Sequence, residues 1–92
     1  MMPAPIYVIL SGTQVQETAR LARALGHPAL ARHLKRAQAG APVGMTRAHA
    51  LTITGLAATA ATYAADADAS GRSATFWKGV HAAALHGLEG AP

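Results

Sequence analysis

The residues with the clearest chemical potential lie close together, in the run LARHLKRA over residues 30–37. Arg32 and Arg36 each carry a planar fork of donors that can bridge N7 and O6 of guanine, the pairing by which arginine reads a base edge in the major groove. On a helix, Arg32, His33 and Arg36 fall near one face, and Ala29 at its start could touch a thymine methyl group. Lys35 on the flank, with Arg20 and Arg47 from neighbouring segments, would hold phosphates and set the register. The plainer reading is a solvated basic face that keeps an alanine-rich chain in solution.

Other chemistries find less material. The five histidines, His27, His33, His49, His81 and His86, do not offer the three- or four-residue spacing by which one helix supplies two zinc ligands. Without cysteine there is no thiolate site either, so no metal and no cofactor is expected. The carboxylates are Glu17, Asp66, Asp68 and Glu89. Asp66 and Asp68 stand two apart, which on a helix points them in different directions. No nucleophile elbow, phosphate loop or dinucleotide fingerprint is present, and the chain reads as non-enzymatic.

Eight Lys and Arg against four Asp and Glu give a formal charge of +4, which favours a polyanion or an acidic protein surface as partner. The 92 residues make a single domain, 1–92, with a thin core, since much of the apolar content is alanine and there are only one Phe, one Trp and two Tyr. A homodimer would pool two such cores. Phe76, Trp77, Val80 and Leu88 are the large apolar residues of the last segment, expected to serve as core and as dimer contact. Residues 1–10 lack the basic leader and cleavage site of a signal peptide, and no apolar run approaches the roughly 20 residues that span a bilayer. A reducing, cytoplasmic setting fits the absence of cysteine.

The elements that must position these residues follow from period and punctuation. Pro3-Ala4-Pro5 is an extended lead-in. The run Ile6-Tyr7-Val8-Ile9-Leu10 reads either as a buried strand or as one buried helical turn. Thr13, with Gln16 three residues on, suits a capping box, and Val15, Thr18, Ala19, Leu21, Ala22 and Leu25 follow at helical spacing. Gly26 ends that helix and Pro28 opens the next, giving a helix-turn-helix core over 13–40 with Leu30, Leu34 and Ala37 inward. Residues 46–54 admit two readings: a helix capped by Thr46, or a strand over about 48–54, which the β-branched Thr52-Ile53-Thr54 favours and which would complete a wing over 43–54. A helix follows over 55–69, with Leu56, Ala60, Tyr63, Ala64 and Ala67 in a stripe. Ser70-Gly71-Arg72 is a linker. Ser73 or Thr75 caps a last helix over 73–88, which Gly87 and Gly90 fray.

The segments LARALG, PALARHLKRAQAGAPV and TRAHALTIT, followed by an alanine-rich helix, together resemble winged helix-turn-helix repressors of the multiple-antibiotic-resistance and metal-responsive types. Those families show Leu-Ala-x-x-Leu-Gly, then a recognition helix Pro-x-Leu-Ser-Arg-x-Leu, and a returning wing strand Arg-Ala-x-x-Leu-x-Leu-Thr. The resemblance spans residues 6–67. It implies a mainly helical small domain with a helix-turn-helix and a short β-wing, and a small transcriptional regulator that reads double-stranded DNA. The rival expectation, from charge and helicity alone, is an interaction module that docks its basic helix on an acidic protein.

Overall fold

The apolar run at the start finds its partner well beyond the first two helices. The computed structural model describes residues 5–37, 40–67 and 74–90. Their order is β1 (Ile6–Ile9), α1 (Gly12–Ala24), α2 (Pro28–Lys35), β2 (Pro42–Met45), α3 (Arg47–Ala67) and α4 (Ala74–Glu89). The fold is thus mainly helical, with one two-stranded antiparallel sheet. Ile6 pairs with Met45, Tyr7 with Gly44, Val8 with Val43 and Ile9 with Pro42. Ile6, Val8, Val43 and Met45 face the core, whereas Tyr7 and Ile9 are 59% and 57% exposed on the outer face. That alternation settles the first run as a strand.

The N-cap of α1 is Ser11, not Thr13. Its Oγ accepts from the Gln14 N–H at 3.2 Å, and the Gln14 side chain accepts the Ser11 N–H at 2.8 Å, a reciprocal capping box. Both Ser11-x-x-Gln14 and Thr13-x-x-Gln16 satisfy the motif. The end of β1 and the burial of Leu10 place the helix start two residues earlier.

The strand expected over 48–54 is helix, so the returning wing strand is absent and the sheet consists of β1 and β2 alone among the described residues. Thr46 accepts the His49 N–H on its Oγ1 at 3.1 Å and starts α3. Thr52 and Thr54 donate their hydroxyls to the carbonyls of Ala48 and Ala50, four residues back, each at 2.9 Å. Ile53 is fully buried, so tertiary burial overrides β-propensity here.

α3 and α4 lie against each other along the inward residues Ala50, Ile53, Leu56, Ala57 and Ala60 of one and Trp77, Val80 and Ala84 of the other. Small residues let the backbones approach. Tyr63, expected in the α3 stripe, is 64% exposed, and Leu25, expected inward on α1, is 53% exposed. Gly87 does not fray α4. It lies inside the helix, where a Cβ would sit 2.5 Å from the Tyr7 carbonyl oxygen, so a missing side chain lets α4 rest on β1. Thr75 is likewise inside α4. The Pro3-Ala4 lead-in, the 70–72 linker, the Ser73 cap and the side chains of Ala64 and Ala67 fall outside the described residues. Among those described, no helix is long and apolar enough to cross a membrane.

Candidate nucleic-acid interface

Three residues, Leu25, Gly26 and His27, turn the chain from α1 into α2. The His27 N–H donates to the Ala22 carbonyl at 2.8 Å and the Gly26 N–H to the Arg23 carbonyl at 3.3 Å. This interlocked pair of bonds is the Schellman closure, and it requires the left-handed φ of +86° at Gly26. Pro28 then occupies the first position of α2, where its missing N–H leaves nothing unpaired. Leu30, Ala31 and Leu34 turn into the core, which fixes the rotation of this short helix and sends the opposite face outward.

That outward face carries Ala29, Arg32, Lys35 and Arg36, all exposed. Arg47, the first residue of α3, is also exposed. Arg20 is 80% exposed and lies 3.9 Å from Glu17, a surface pair of the kind that contributes little to stability. Arg23, to which the sequence analysis assigned no role, lines a cleft between α1 and α2 together with Arg20 and Lys35. Its signal was present as a three-residue step from Arg20 on the same helix face.

His33 is placed differently from the other six predicted contacts. It is only partly exposed, and its Nε2–H donates to the Gly44 carbonyl of β2 at 2.7 Å. Its ring stacks on that of His49 from α3, with centroids 5.7 Å apart and 29° between planes. Burial, followed by the neighbouring His33 ring, holds the His49 pKa below its ordinary 6.5. His33 therefore ties α2 to the β2–α3 segment, with its Nε2–H already engaged.

The same bond protects the sheet. A Gly44 carbonyl that accepts from His33 points away from β1, so Tyr7 and Gly44 form a pair that exchanges no hydrogen bonds. By that alternation the Tyr7 carbonyl points out of the other edge, where Gly87 of α4 lies. Pro42, which has no N–H, falls at the next outward-pointing position.

The residues expected at a dimer contact divide in two. Trp77 and Val80 are 3% and 0% exposed within the single chain and belong to its core. Phe76 packs edge-on against Trp77 at 5.1 Å, and it and Leu88 lie partly buried against that core. Two of the exposed large apolar side chains, Tyr7 and Ile9, lie together on the sheet's outer face, beside Ala82, Ala83 and His86 of α4.

Charge is unevenly divided along the chain. Over residues 5–60 there are six Arg and Lys (Arg20, Arg23, Arg32, Lys35, Arg36 and Arg47) and one carboxylate, Glu17, a balance of +5. The remaining positions hold Arg72 and Lys78 against Asp66, Asp68 and Glu89, a balance of −1. The cationic excess thus coincides with the α1–α2 unit and the start of α3. Comparison of the chain with protein-family models, with curated proteins and with solved structures gives no match.

Proposed function

We propose that this chain is a non-enzymatic module that binds double-stranded DNA, as a small transcriptional regulator does, with α2 as the helix that enters the major groove. One observation carries the reading: the exposed face of α2 presents Arg32, Lys35 and Arg36 and no carboxylate, on a rigidly turned helix pair within the +5 part of the chain. Arg32 and Arg36 face base edges, with Ala29 beside them near the helix start. Lys35 and Arg47 flank that face and meet phosphates. His33 supports the helix from behind.

Fluorescence anisotropy on a random duplex across a salt series tests this. Affinity falls with salt at a log–log slope of about −0.9 per phosphate neutralised, and Lys35→Ala or Arg47→Ala flattens the slope by about one unit on every sequence. On a site enriched from a random pool, Arg32→Ala or Arg36→Ala costs about 1–3 kcal/mol and relaxes the preference. Binding to any duplex weaker than about 10⁻⁴ M at physiological salt removes the proposal, because even ordinary non-specific binding is then missing. The basic helix would in that case be a docking surface for an acidic protein.

A further inference from the structure

The cleft between α1 and α2 combines a closed floor with a charged rim. Val15 and Ala19 are each 7% exposed and Leu34 is fully buried, so these three side chains close the floor. The rim carries Arg20, Arg23 and Lys35, and no carboxylate lines it. Glu17, one turn from Arg20's side of the helix, stands 3.9 Å from that guanidinium and offsets part of its charge. Arg23 and Lys35 remain as the main cations of the rim. Cations around an open cleft whose lining holds no carboxylate suit an anion.

We propose that this cleft seats a phosphodiester of the DNA backbone, with Arg23 as its principal contact. The inference rests on the duplex-binding reading given above and deepens it. Lys35 lies on the side of α2 that borders the cleft, while Arg32 and Arg36 lie further round the exposed face and Arg47 stands on a separate element. A helix in the major groove is flanked by the two backbones that form its walls. The α1–α2 cleft takes one wall, and the start of α3, through Arg47, takes the other. Arg23 thus contributes affinity and orientation but no sequence preference.

The experiment compares wild type, Arg23→Ala and Arg23→Lys by anisotropy over a salt series, on a random duplex and on an enriched site. The expected result is that Arg23→Ala weakens both complexes by the same factor, flattens the salt slope by about one unit and leaves the enriched preference unchanged. Arg23→Lys, which keeps the charge, restores the slope. Circular dichroism melts confirm that the variants fold. If wild type binds DNA and Arg23→Ala binds with the same affinity and slope, the cleft assignment fails while the duplex-binding reading stands. If wild type does not bind DNA, both fail. A melting temperature raised by inorganic phosphate in wild type but not in Arg23→Ala, with DNA affinity unaffected, would assign the cleft to a free phosphate compound and overturn the backbone seat.

Discussion

At the scale of single residues, two buried polar groups and one partly buried histidine bear on stability. Among the described residues, the Thr18 hydroxyl is buried without a hydrogen-bond partner, as is the Trp77 indole N–H. An unmade bond of this kind costs about 1–3 kcal/mol, and an isosteric apolar group avoids the cost. Thr18→Val should therefore stabilise the fold by about 1 kcal/mol, raising the melting temperature by roughly 4–8 °C for a domain of this size. A lower melting temperature would show that the hydroxyl is satisfied in solution. His49 acts through protons. Its pKa in the folded state lies below 6.5, through burial first and His33 second, so the unfolded chain takes up its proton at higher pH than the native one. The stabilisation from keeping His49 neutral is complete above 6.5 and is lost as pH falls below that value through the folded-state pKa. Melts from pH 7.5 to 5 should show declining stability, and His49→Gln should flatten that decline. A variant as steep as wild type would place the pH dependence elsewhere.

At the scale of elements, three glycines separate three physical roles. Gly55 sits in α3 with open space around the Cβ position, so Gly55→Ala should stabilise by about 0.5–1 kcal/mol through helix propensity alone. Gly26 also has open space, but its φ of +86° is left-handed, and Gly26→Ala should destabilise by about 1–2 kcal/mol. Gly87→Ala should cost about 1–3 kcal/mol by overpacking against the Tyr7 carbonyl. Chemical denaturation of the three variants checks both signs and order. The Gly26–Pro28 turn was legible in the sequence because its signals are local: a left-handed cap followed by a proline. The outward placement of Arg32, Lys35 and Arg36 was legible too, since Leu30 and Leu34 fix the inward face. What the sequence hid was non-local. Residues 46–54 admit helix or strand, and their β-branched run leans to strand over about 48–54, until Ile53 is seen buried and the threonine hydroxyls are seen bonded within α3. His33 looks like a base-reading residue until β2 arrives beside it, and no window along the chain brings Gly44 to position 33. Gly87 looks like a helix breaker because the strand that needs the space lies at the other end of the sequence.

At the scale of the whole molecule, the core is less thin than composition suggests. Leu10, Leu30, Leu34, Ile53, Val8 and Val80 are all completely or almost completely buried, and Trp77 joins them; of the four residues expected at a dimer contact, Trp77 and Val80 are enclosed within one copy. The cationic part meets α4 along α3 and along β1, and the sheet has a topological effect. Ile9 and Pro42 are 33 positions apart, and their pairing closes the chain into a loop from which α1 and α2 hang. Helix α2 is tethered at its start by the Schellman closure to α1 and along its flank by His33 to β2. These tethers couple opening of the α1–α2 unit to separation of the strands. In native-state hydrogen exchange, the amides of Leu30 and Leu34 should exchange with the same opening free energy as those of Val8 and Val43, as one cooperative unit. Earlier exchange in α2 with the strands still protected would mean that the loop is not rigidly closed. A unit held in this way is ordered beforehand, so little conformational entropy would be left to lose if a partner bound it.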